Sequence, residues 1–292
     1  MRSKVRGRRG DDTIGNTREA EMRADRDEIK QRLSRAVSMV DGGRQAGDPD
    51  LLAAGIITLR EIAAIPELND GDQVMCFHLL SLAYEALYDL TADLGALKAC
   101  VRYGDDALTL LPMGHSARAD LLAQIGTHYR TLYEATSHLP FIESSIDRHR
   151  RAAAAFAPGS PDRGRCHANQ ARAHLVRYRS HHSNADDLRH AAELLQRALE
   201  DGLPDRRQQA YCLSDLTISL GWLYDHTRDP QCLATAITHG ERAGALLGPE
   251  QRDANLSAAL ASVYFQRFRL TGEAADANSS ITHEKAALSL FQ

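Results

Sequence analysis

Between Ala117 and Ala135 the apolar side chains fall at Leu121, Leu122, Ile125, Tyr129, Leu132 and Tyr133. That three-and-four spacing predicts a helix with one buried face. A polar break at Thr136, Ser137 and His138 follows, and then a second stripe: Leu139, Ile142, Ile146, Ala153 and Phe156. Pro158 and Gly159 stop it. No stretch of the chain alternates with period two for long, so the pattern predicts an all-α protein.

The two-helix unit recurs. Tyr88, Tyr133, Tyr178, Tyr224 and Phe268 stand 45, 45, 46 and 44 residues apart. Val101, Ile146, Ala192, Ile237 and Ile281 follow them at a near-constant offset, then Ala107, Ala152, Ala198, Ala243 and Ala287. Pro112, Pro158, Pro204 and Pro249 close four of the units. One period before Tyr88, the same offsets land on Ile56, Ile62 and Pro66, and the segment Asp48 to Ile56 matches Asp229 to Ile237 at the Asp-Pro, Leu and Ile positions. The reading is about six helix-turn-helix repeats of about 45 residues, an α-solenoid with roughly twelve helices. A lone hairpin cannot bury both its apolar faces, so the hairpins must stack, and the core becomes a strip running through the array. Where helices approach most closely the units offer Ala36, Ser81, Gly126, Ala171, Thr217 and Ala261, all small or short.

A length of 292 residues would by itself suggest two globular domains. The repeat replaces that expectation with residues 1–24 as a disordered basic tail and 25–292 as one repeat domain. Aromatic residues are only 5% of the chain, and many of those few rings occupy one recurring position, which leaves Trp222 as the exception. Net charge is −4, which gives no general electrostatic case for nucleic acid or an anionic membrane. The basic run Arg2, Lys4, Arg6, Arg8 and Arg9 reads as a solvated tail, or as a weak nucleic-acid contact. No uninterrupted apolar stretch approaches the length of a membrane span, and the first forty residues hold no signal-peptide core, so a cytoplasmic protein is expected.

Apolar, small and aromatic positions in the first helix, two alanines seven apart and a closing proline resemble the tetratricopeptide repeat. Ile125, Gly126, Tyr129, Ser145, Ala152 and Pro158 carry that pattern best, with Ala191 and Ala198, and Ala236 and Ala243, repeating the seven-residue step. The period departs from the family's 34 residues by about 11, almost three helical turns, so lengthened helices keep their stripes in phase. Segments such as Leu233 to Leu246 resemble the long-period arrays that precede CHAT peptidase domains. Nothing in the chain reads as the peptidase itself. The resemblance implies a right-handed superhelix whose first helices line a concave groove. A HEAT or armadillo array fits the period but not the small and aromatic positions.

Candidate chemistry is sparse. Cys76, Cys166 and Cys212 share one repeat position with Leu121 and Leu256, so they read as small buried side chains, as do Cys100 and Cys232. Cys166, His167, His174, His181 and His182 invite a zinc site, but the spacing is wrong for one cluster, and surface histidines are expected. Asp105, Asp106, Asp186 and Asp187 read as caps or solvent-facing carboxylates. No catalytic residue, cofactor or metal is expected. The groove positions implied by the resemblance fall on Arg130, Arg165, Asn169, Arg172, Asp215 and Trp222. In the fourth repeat Gln170 and His174 replace apolar and aromatic residues, and Arg163, Arg165, Arg172, Arg177 and Arg179 crowd the same helix. Guanidinium groups with an asparagine would clamp a carboxylate, as peptide-binding members of the family do; alternatively the helix is merely solvent-exposed. The expected function is a non-catalytic scaffold that binds a protein or peptide partner. The alternative is a sensor or regulatory module of a CHAT-type protease or signalling system whose effector lies elsewhere. Leu288, Leu290, Phe291 and Gln292 provide no polar cap, which points to self-association or a covering partner.

Overall fold

The computed structural model describes residues 11–181, 185–248, 251 and 253–290. Twelve helices and no strand occur among the described residues: α1 (Asp11–Ala46), α2 (Pro49–Ala63), α3 (Asp70–Thr91), α4 (Leu94–Leu110), α5 (Ala117–Thr136), α6 (Leu139–Ala155), α7 (Pro161–His181), α8 (Ala185–Asp201), α9 (Arg206–Thr227), α10 (Pro230–Leu247), α11 (Ala254–Thr271) and α12 (Ala274–Ser289). The basic run at residues 2–9 lies outside the described residues, and α1 is already helical at Asp11, within the segment read as a tail. The chain divides into two compact units, Met1–Pro112 and Met113–Gln292.

Consecutive helices form antiparallel hairpins, and each hairpin packs on the next within its unit. In the second unit α5, α7, α9 and α11 each touch the next odd-numbered helix, whereas the even-numbered helices do not meet. The odd helices therefore form one layer and the even helices the other. The core of this unit passes from Leu188 and Leu195 through Leu213 and Leu216 to Leu233 and Val263. In the first unit Leu52, Leu59, Ile62 and Leu80 do the same work.

The short residues sit where two backbones close on each other. Ala36, Ser81, Ala171 and Thr217 are fully buried. Ser81 Oγ donates to Cys100 O at 2.9 Å and Thr217 Oγ1 to Ala236 O at 3.2 Å, so each ties the first helix of a hairpin to the second. Gly126 does this by lacking a side chain: a Cβ there would lie 2.9 Å from His149 Nε2. His149 is wholly buried, and neither ring nitrogen has a partner among the described residues. Gly126→Ala is accordingly expected to lower the unfolding free energy in urea by about 1–3 kcal/mol through overpacking. An unchanged midpoint would mean that the imidazole has room to yield.

A single joint closes most hairpins. Thr91, Thr136, Thr227 and Thr271 each end a first helix, donating Oγ1–H to the carbonyl four residues back. Each then accepts the backbone N–H two residues ahead. Between them Ala92, Ser137, Arg228 and Gly272 adopt the left-handed conformation with φ of 54°, 54°, 57° and 73°. Their N–H groups bond the carbonyls of Tyr88, Tyr133, Tyr224 and Phe268, the recurring aromatics. Asp93 and Asp229 then cap the following helix by accepting from its first backbone amides. Ile281 and Leu288 on α12, and Leu290 just after it, are exposed, while Phe291 and Gln292 lie outside the described residues.

Candidate functional site

The layer of odd helices holds a cavity of about 600 Å³ within the second unit, walled by α7, α9 and α11. Arg172, Asp215 and Trp222, three of the six residues expected to face a groove, line it together. Arg172 Nε donates to Asp215 Oδ2 at 2.7 Å, a charge-assisted bond that fixes the guanidinium plane. The terminal amino groups of Arg172 carry no hydrogen bond among the described residues, so they remain open to a ligand. Burial pushes the Asp215 carboxyl above its ordinary range, with the Arg172 guanidinium pulling against it. Trp222 stacks on Tyr178 with ring centroids 5.5 Å apart, and Tyr178 Oη is 2.7 Å from His226 Nε2. An aromatic shelf thus stands beside a charged pair.

Four further polar residues of the wall bear on a ligand. Arg179 is exposed at the rim and has no ion-pair partner among the described residues. Tyr211 comes from α9. Asp253 caps α11 by accepting from Asn255 N at 2.7 Å and Leu256 N at 3.2 Å, and Asn255 lines the cavity beside it. Arg179 is among the arginines that the sequence crowds onto α7; Tyr211, Asp253 and Asn255 carry no groove signal in the sequence. Asp253 and Asn255 carry a helix-start signal instead, and only its position against α9 makes it part of a site.

The other three expected groove residues stand apart from this cavity. Arg130 bonds Glu134 one turn along at 2.6 Å. Arg165 is ion-paired to Asp162 on the exposed side of α7, and Asn169 is half-buried. The crowd of arginines on α7 is largely engaged internally: Arg177 holds Asp187, and Arg163 lies 3.6 Å from Asp201.

Two sequence expectations need correction. His128, His149, His167 and His174 are buried, not on the surface, because each replaces a core position of its helix. Asp187 is also buried: its carboxylate accepts His174 Nδ1–H at 2.8 Å and Arg177 Nη2–H at 2.5 Å, and these bonds hold it down at about 2 against the opposing effect of burial. The cysteines are all buried and free. Burial pushes the Cys76 thiol up to about 11, and those of Cys166 and Cys212 to about 12, which leaves them protonated and unreactive at neutral pH. Among the described residues no group of three or more His, Cys, Asp or Glu is placed to hold a metal ion. No helix among them is long and apolar enough to cross a membrane.

No family model matches the chain, and no curated protein does. Solved structures do. The chain is similar to PilF of Pseudomonas aeruginosa at 15% identity, over 90% of this chain and 94% of PilF, with a TM-score of 0.54. It is similar at the same identity to a Podosopora anserina protein of nearly identical TPR-like repeats, over 76% of this chain and 98% of that one, with a TM-score of 0.52. The fold is that of a tetratricopeptide-like helical array.

Proposed function

We propose that the chain is a non-catalytic protein-interaction scaffold that holds a partner peptide or helix against the face made by α7, α9 and α11. The observation that carries this reading is the cavity itself. An aromatic shelf, two guanidinium groups and an open polar rim converge there from three successive repeats, as peptide recognition by a helical array requires. The Arg172–Asp215 pair supplies orientation more than charge, so carboxylate capture falls to the outer amino groups of Arg172 and to Arg179.

Selection from a displayed random-peptide library tests it. Enriched peptides are expected to lose about 2 kcal/mol or more, roughly thirtyfold, against Trp222→Ala, and acidic ones also against Arg179→Glu. Peptides that bind both variants as well as the original chain would remove the site. The second reading, a regulatory module of a CHAT-type protease, rests on the long-period second-helix sequence. It predicts instead a stable complex with a caspase-like chain encoded beside this one.

A further inference from the structure

In the repeats on either side, the face of the first helix that looks toward its hairpin partner is apolar: Leu122, Ile125 and Tyr129 on α5, and Leu213, Leu216 and Leu220 on α9. On α7 the same three positions are His167, Gln170 and His174, all more than nine-tenths buried. They line a second cavity, of about 460 Å³, walled by α6, α7 and α8 and open to solvent. Three polar side chains have replaced three apolar ones, and a cavity lies beside them.

Two carboxylates hold the imidazoles beside that space. Asp201 Oδ2 takes His167 Nδ1–H at 2.9 Å, its Oδ1 takes Gly159 N–H at 2.9 Å, and Asp187 holds His174 Nδ1 in the same way. Both rings are therefore fixed in orientation, with Nε2 left free of any partner among the described residues. His190 stacks on His174 with centroids 5.4 Å apart and closes one end. Arg150, Arg163 and Arg197 stand around the cavity with Glu193; Arg150 bonds Asp147 at 2.6 Å and Arg163 lies 3.6 Å from Asp201, so Arg197 is the guanidinium with no ion-pair partner among the described residues. His167, His174 and His190 are not placed, among the described residues, to hold a metal ion together.

We propose that this cavity is a binding site for a small organic oxyanion, a phosphate or carboxylate held by the arginines, whose hydroxyl or amide hydrogen is accepted by His167 Nε2. Gln170 offers both a donor and an acceptor beside it. The volume suits a metabolite-sized molecule and not a peptide. The site is independent of the groove, since no residue is shared between the two cavities.

Full-length chain carrying ¹³C-labelled histidine would be titrated separately with inorganic phosphate, acetate and chloride at matched ionic strength. Saturable shifts of the His167 and His174 ring signals with phosphate or acetate, and not with chloride, are expected; the stronger of the two arms identifies the oxyanion. In the Arg163→Gln, Arg197→Gln double variant the affinity should fall by about tenfold or more. The remaining histidine signals report that the variant is folded, and Trp222→Ala should bind as well as the original chain. Shifts that do not saturate with either oxyanion, that appear equally with chloride, or that persist unchanged in the double variant would overturn the site.

Discussion

Replacing Asp187 with alanine is expected to lower the unfolding free energy by about 3 kcal/mol, whereas Asp186→Ala, one residue earlier, should change it by less than about 0.5 kcal/mol. The neighbours differ in what they hold. Asp186 pairs with Arg189 in the open, with both side chains more than half exposed. Asp187 is 7% exposed at its side chain and receives a buried imidazole and a two-pronged guanidinium. Its removal leaves the buried His174 ring without the carboxylate that receives its Nδ1–H, and releases a partly exposed Arg177 guanidinium. Urea denaturation of both variants checks this, and equal losses would show that the network contributes nothing. The last repeat offers a sharper form of the test. Arg267 grips Asp276 with bonds of 2.8 and 2.6 Å at the positions where other repeats have Leu87 with Ala96 and Leu223 with Cys232. Asp276→Ala alone should destabilise. Adding Arg267→Leu should restore much of the loss, because an apolar pair of similar volume needs no desolvation of charge.

Stability is also expected to fall by about 3 kcal/mol as pH drops from about 6.5 to about 4. Burial, helped by the nearby Arg130 guanidinium, lowers the His149 pKa to about 4. An unfolded chain protonates this ring at its ordinary value near 6.5, but the folded chain does not until about 4. The folded state is thus penalised across that window, and its full stability is present only above it. His149→Leu should flatten the pH dependence by about one proton, measured as urea midpoints between pH 7 and 4; an identical slope in the variant would exclude His149 as the source. Below that window Asp187 takes over. Its pKa of about 2 means its contribution is complete above about 4 and lost as pH falls toward 2.

Much of the architecture was legible because it rests on period. The recurring aromatics, the small residues at the close approach and the stop signals each depend on a local rule applied every 45 residues or so. The cysteines were readable for the same reason, since Leu121 and Leu256 mark their position as core. The division after Pro112 was not, because the repeat pattern runs through it without a break. Charge placement was read least well. Arg172 and Asp215 lie 43 residues apart, one repeat, and nothing in either helix alone shows that the two side chains meet. Likewise, polar residues at His167, Gln170 and His174 suggest an exposed helix when α7 is considered by itself. Only the walls contributed by α6 and α8 turn them inward. A usable signal went unread in the threonine three residues after the aromatic in four units, which marks the joint directly.

That joint has a consequence for how such a chain diversifies. Thr91, Thr136, Thr227 and Thr271 close their hairpins through the same bonds and the same left-handed step, so four elbows share one backbone geometry whatever the helices beyond them carry. The repeat that exchanges leucines for histidines, α7 with α8, is not one of these four, and its contacts reach only the neighbouring hairpins. The elbows work as interchangeable fittings, and each hairpin is a separate blank on which a different surface can be cut.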